Sequence, residues 1–273
     1  MLKAVSSLFF TFFFIAGLQA QNVFEGMIKD KDTKENIAYV NIGILNKNVG
    51  TVTDVDGKFA IPLDGKYDND ILKISIIGYK SKDFKVSDFK REYTQNRVIY
   101  LEKNIAELKE VVINNNLKTR ILGNTLDKKT VSAGFVNNVL GNEIGIIVKV
   151  KKKPTYIEAF HAMVDYNHYT TLKFRLNFYD LKNGLPNNTI LTENIIVTST
   201  IKKGILSVDL SDYNIVAEED FFVSIELIEG LGEGGLHFLA DYDGSPIITR
   251  AVSQGKWNKH EDLSFGFTVT ARY

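Results

Sequence analysis

Between Leu172 and Phe178 the chain reads Leu-Lys-Phe-Arg-Leu-Asn-Phe, with an apolar residue at every second position. An extended strand turns alternate side chains to opposite faces, so this period puts the leucines and phenylalanines on one side and Lys173, Arg175 and Asn177 on the other. One face is apolar and the other reads as wet. Short strand-like runs separated by polar turns recur along the chain, and no segment of the first half has a convincing helical period. Tyrosine, phenylalanine, valine and isoleucine are plentiful and prolines few, as suits pleated, half-buried surfaces. The expectation is an all-β chain.

Strands are expected in the first half at 23–28, 38–45, 50–53, 58–62, 71–77, 80–86 and 97–101, enough for a small seven-stranded sandwich. The clearest signal is 49–61, where a strand meets the tight turn Asp54-Val55-Asp56-Gly57 and a second strand resumes at Phe59 and Ile61. The second half offers nine more candidates: 144–150, 156–164, 172–179, 194–198, 205–210, 221–228, 236–240, 247–252 and 263–271. Runs such as Ile144-Gly145-Ile146-Ile147-Val148 are apolar at adjacent positions, as in strands covered on both faces. Residues 125–273 are therefore expected to form a second sandwich of jelly-roll type. A small outer-membrane barrel is the rival, because Phe265-x-Phe267-x-Val269-x-Ala271-x-Tyr273 has the pattern of a barrel's closing strand. Its strands 205–210 and 247–250 are too short to span a bilayer, and no repeated aromatic girdle flanks them.

Residues 1–20 combine Lys3, a short apolar run from Leu8 to Ala16 and a small Ala20, which reads as a secretory signal peptide. No further apolar run in the expected mature chain is long enough to cross a membrane as a helix. Residues 21–103 then form the first domain, 104–124 a linker containing Asn114-Asn115-Asn116, and 125–273 the second domain. Cysteine is absent, which excludes disulfides, thiolate metal sites and a cysteine nucleophile. Acidic and basic residues number 33 each, so no global field draws nucleic acid.

Gly26, Asp30, Thr33, Ala38-Tyr39-Val40-Asn41-Ile42, Gly50-Thr51-Val52-Thr53-Asp54, Gly57-Lys58-Phe59, Leu72, Ser75 and Gly78-Tyr79 occur in the order that resembles the carboxypeptidase regulatory-like domain. The resemblance covers about 22–102 and implies a prealbumin-like seven-stranded sandwich. It departs at Asn36-Ile37, where the family often has a proline. In that family the module is an accessory domain without catalytic residues of its own, common at the N-terminus of exported and outer-membrane proteins. Ala106 to Ile113 is similar to the segment that follows the module in TonB-dependent receptors, yet the remaining chain is far too short for their plug and barrel.

Candidate sites are few. Asp54-x-Asp56-Gly57 and Asp241-x-Asp243-Gly244 look like fragments of calcium loops, although Leu63 stands where an EF-hand needs glutamate and a plain hairpin turn uses the same residues. His161, Asp165 and His168 could hold zinc only if a strand brought them together. Lys149 to Lys153 with Pro154 reads as protection of a strand edge, and Glu229 to Gly235 as a loop that lacks the lysine and helix of a phosphate site. Trp257, Tyr166, Tyr169 and Tyr242 in loops could stack on sugar rings. No catalytic constellation and no cofactor motif is present. The expected function is a non-enzymatic binding or adaptor protein of the cell envelope, with an envelope protein or glycan as partner. A carbohydrate-binding protein using those aromatics is the alternative.

Overall fold

A computed structural model describes residues 23–104, 117–126, 131–135 and 138–273. The leader-like segment 1–20 and the segment 106–113 lie outside the described residues.

The first unit is a sandwich of two small sheets. Its strands are β1 (Val23–Asp30), β2 (Asn41–Ile44), β3 (Gly50–Val52), β4 (Lys58–Pro62), β5 (Ile71–Ser75), β6 (Lys82–Lys85) and β7 (Val98–Leu101). One sheet runs β4-β1-β7, with β7 parallel to β1, and the other runs β3-β2-β5-β6. Ile28, Ile42, Ile61, Leu72, Ile74 and Ile99 are fully buried between them. Each such side chain contributes about 1.5–3 kcal/mol on leaving water. One element was not expected: α1 (Val86–Glu92) follows β6, too short to show a period, and is anchored by Val86 and Phe89 one turn apart. Phe89 meets Phe24, Phe84 and Tyr93 at ring distances of 4.8, 5.5 and 5.1 Å.

Several residues of the ordered motif are held by backbone needs. Asp30 Oδ1 accepts from Asp32 and Thr33 N–H groups, and its Oδ2 accepts from the Tyr79 hydroxyl at 2.9 Å. Thr53 Oγ1 accepts from Val40 N–H and donates to the Ile37 carbonyl. Gly57 has φ +73°, and a Cβ there would stand 2.7 Å from the Ile28 carbonyl oxygen.

The second unit comprises β8 (Thr119–Gly123), β9 (Val131–Phe135), β10 (Glu143–Val148), β11 (Thr155–Asn167), β12 (Leu172–Lys182), β13 (Leu185–Thr189), β14 (Ile195–Ser199), β15 (Gly204–Asp209), β16 (Ile215–Ala217), β17 (Phe221–Leu227), β18 (Leu236–Asp241), β19 (Ile247–Arg250), β20 (Asn258–His260), β21 (Ser264–Phe265) and β22 (Phe267–Arg272). β13-β12-β17-β10-β19-β20 form one sheet, with β14 also on β12. β21-β18-β11-β22-β8 form the other, with β15 and β16 on β11 and β9 on β18. The core lies between two open sheets and is filled from both, for example by Phe174, Phe178 and Val223 from one and Phe160, Phe238 and Phe267 from the other. This is a sandwich and not a closed ring. The alternation Phe265, Phe267, Val269, Ala271 supplies that core, and Gly266 breaks the run into β21 and β22.

Two boundaries move. The end of the expected linker, Thr119–Gly123, is β8 and pairs with β22. The lysines of 149–153 lie in a loop after β10 and not on a strand edge; Lys149 pairs with Asp220 and Lys153 with Glu219.

The two sandwiches abut. Gly43 and Gly50, paired across β2 and β3, face the loop after β19, where a Cβ on either would stand 2.2 Å from the Ser253 carbonyl oxygen. Asn46 N–H donates to the Gln254 carbonyl, and Gln254 Nε2 donates to Ser75 Oγ at 2.9 Å. Bare backbone lets the loop approach this closely.

Candidate functional site

The residues read as the wet face of β12 are covered: Arg175 is 2% and Asn177 3% exposed. Their strand neighbours complete a buried row. In register across β12, β17, β10 and β19 stand Arg175, Glu226, Glu143 and Arg250, two carboxylates flanked by two guanidiniums. Neither glutamate is exposed to solvent, and Arg250 is almost as deep. Glu143 Oε2 lies 2.6 Å from Arg250 Nη2, and Glu226 Oε2 lies 3.4 Å from Arg175 Nη1. Like charges directly opposite repel. Asn177, in the next row, relieves this by donating to Glu143 Oε1 and Glu226 Oε2, each at 2.9 Å, and Ser224 Oγ donates to Glu143 as well.

Burial pushes the Glu143 carboxyl above its usual range, against the pull of Arg250. For Arg250 burial acts downward, but Glu143 and its neighbours outweigh it and raise the pKa. The Tyr179 hydroxyl is raised well above its ordinary value by burial and then by Glu143. Beyond the polar rows the same face turns aromatic: Trp257 packs edge-on to Phe222 at 5.3 Å and Tyr179 at 6.0 Å, and the Arg250 guanidinium lies 4.7 Å from the Trp257 ring centre.

Arg175 also reaches across to the first sandwich, donating to Asn41 Oδ1 at 3.2 Å and to the Tyr39 carbonyl. Tyr39 is held at φ 60°, a conformation costing a bulky residue about 1–3 kcal/mol. Beside this contact a cleft of about 530 Å³ opens between the units. Arg175, Asn177, Tyr179 and Arg250 line it from one side, and Asn41, Lys73 and Ser75 from the other. A larger hollow of about 730 Å³ lies beside β1, β3 and β4, but its charged residues, Glu25, Asp54, Lys58 and Arg97, are all exposed. The cleft has the converging buried polar groups expected of a binding site.

The residues singled out from sequence lie elsewhere or serve other ends. No ring contact joins Trp257, Tyr166, Tyr169 and Tyr242 among the described residues. Tyr169 is buried in the second core, Tyr242 is exposed, and Tyr166 stacks on His168 and His237 at 4.6 and 4.5 Å. Asp54 Oδ1 accepts from the N–H groups of Asp56 and Lys58, so it caps its turn, and Asp56 pairs with Lys58. Asp241 accepts from Tyr242 N–H, and Asp243 is exposed in the following turn. His161 spends both ring nitrogens on Ser207 and Thr270, while Asp165 pairs with Lys203. Among the described residues no three histidine, aspartate or glutamate side chains gather as a metal site would need. Glu143, Glu226 and Arg250 went unread, although Ser224-x-Glu226 inside the apolar run 221–228 marks a polar stripe on one face.

No curated protein and no solved structure matches the chain. Residues 24–113 match the family model described as CarboxypepD_reg-like domain, which spans the seven strands and the Asp30, Thr53 and Gly57 turns described above. The first of the two sandwiches is thus a carboxypeptidase regulatory-like domain with the β-rich build of the prealbumin-like fold.

Proposed function

We propose that this protein is an exported, non-enzymatic binding component of the cell envelope, whose ligand sits in the cleft between the two sandwiches. One observation carries the reading: buried polar side chains of both units line one cleft of about 530 Å³, a size suited to a small ligand. The glutamates beneath it are engaged by Arg175, Asn177, Ser224 and Arg250, and neither lines the cleft, which argues against acid–base work there. The leader-like segment 1–20 and the accessory character of the family support the location. An envelope glycan suits the cleft better than the loop aromatics, because Trp257 is packed on Tyr179 and Phe222 beside Arg250.

A panel of envelope glycans and small polar solutes, screened by thermal shift on the purified chain, tests this. Thr192 is exposed on the cleft wall, and Thr192→Trp fills the space without touching the buried row. A ligand that raises Tm in the wild type and not in Thr192→Trp is the expected result. Turnover of the ligand, or binding indifferent to the tryptophan, would overturn the proposal.

A further inference from the structure

We infer that the cleft takes a hydroxylated monocarboxylate of the acidic-sugar class, with the carboxylate at Arg250 and Lys73. The inference rests on the cleft being the binding site, and it follows from the charges and donors that surround it. No aspartate or glutamate lines the cleft among the described residues, whereas Lys73, Lys80, Arg175 and Arg250 do. The two guanidiniums are matched by Glu143 and Glu226 beneath them, and Lys80 is held by Glu102 at 2.5 Å. Lys73 has no ion-pair partner among the described residues, so about one positive charge is left over. That charge suits a single carboxylate, while a phosphate dianion would bring a second negative charge with no cation on the cleft wall left to match it.

Arg250 is already fixed for the task. Its Nη2 is spent on Glu143 and Tyr179, its plane lies beside Trp257, and its Nη1 has no hydrogen-bond partner among the described residues. A guanidinium held this way loses little freedom on binding. The rest of the lining supplies Asn104, Asn187, Ser81 and Thr192, whose amides and hydroxyls both donate and accept, as the hydroxyls of a sugar require. Ile76, Ile77, Leu191 and the rings of Tyr79 and Tyr179 also line the cleft, as suits the apolar faces of a sugar, but a wholly greasy ligand would leave the amides and hydroxyls unpaired.

Titration calorimetry of the full chain with a single hexuronic acid, its carboxyl-reduced neutral counterpart and inorganic phosphate tests the inference. The acidic form should bind, the reduced form about tenfold or more weakly by comparison, and phosphate should not compete. Lys73→Glu reverses a charge on the wall and leaves the buried row intact; it should weaken the acidic ligand about tenfold or more, at a small cost in Tm because Asp83 stands opposite it on β6. Arg250→Ala should weaken the acidic ligand as well, but it should also lower Tm because it strands the buried Glu143. Equal binding of the reduced form, blocked by Thr192→Trp, would sink the acidic class and leave the cleft standing. Binding of the acidic form unchanged in Thr192→Trp would sink both. Competition by phosphate would show a plain anion site, and no binding of the acidic form, or no effect of Lys73→Glu, would equally overturn the inference.

Discussion

Asp30 shows how much one side chain of the ordered motif can do. Its carboxylate takes the Thr33 and Asp32 N–H groups and the Tyr79 hydroxyl, which pull its pKa from 3.8 down to about 2. A carboxyl held low in the fold stabilises it above the unfolded pKa, and that stability is lost as pH falls from about 3.8 through about 2. Glu143 acts in the opposite sense: raised by burial, its ionisation costs the fold stability as pH rises, so acid relieves it. Asp30→Asn should therefore lower Tm at pH 7 and flatten its fall between pH 4 and 2, read by calorimetry across that range; an unchanged acid limb would refute the assignment. Arg175 is the second such residue. Removing one partner of a buried pair leaves the other charged and dry, so Arg175→Ala should cost about 3–5 kcal/mol in denaturant unfolding. The pair replacement Arg175→Met with Glu226→Leu should cost far less, and a loss as large as that of the single change would contradict this account.

At the scale of elements, period two carried the reading a long way. All seven strands of the first sandwich fall where alternation places them, because each has one face on the core. The strands that went unread, β8, β9, β13, β16 and β20, are short or poor in core side chains, and β13 carries Pro186, Asn187 and Asn188 at a sheet edge. Alternation could not reveal the site itself. It says that Lys173, Arg175 and Asn177 share a face, but the same pattern serves water or another protein surface, and which one depends on β10, β17 and β19, distant in sequence. The turn of 251–254 against β2 and β3 was equally hidden, since a glycine in a strand reads as a weakness until the neighbouring backbone is in place. Gly43→Ala would put a Cβ 2.2 Å from the Ser253 oxygen, and should part the sandwiches while leaving each core whole. Solution scattering should record a larger radius of gyration and calorimetry two melting steps in place of one; an unchanged profile would show that the loop yields.

For the whole molecule, the consequence of the Arg175 contact lies in time. The first sandwich owns its core and can fold as soon as its strands are made. The row Arg175, Glu226, Glu143, Arg250 can line up when β19 has joined its sheet, late in synthesis, and until Asn41 and Tyr39 cover it the row stays hydrated. Shedding that water is then expected to be the closing event of assembly, after both cores have packed. Refolding followed by Trp257 fluorescence, whose ring lies beside Arg250, should then show a last phase independent of protein concentration that is lost in Gly43→Ala, with the earlier phases unaltered. Such a phase would mean an interval in which the unfinished molecule has two sound halves and an open, charged seam, the form that proteases and mispairing with a second copy would find most open to them.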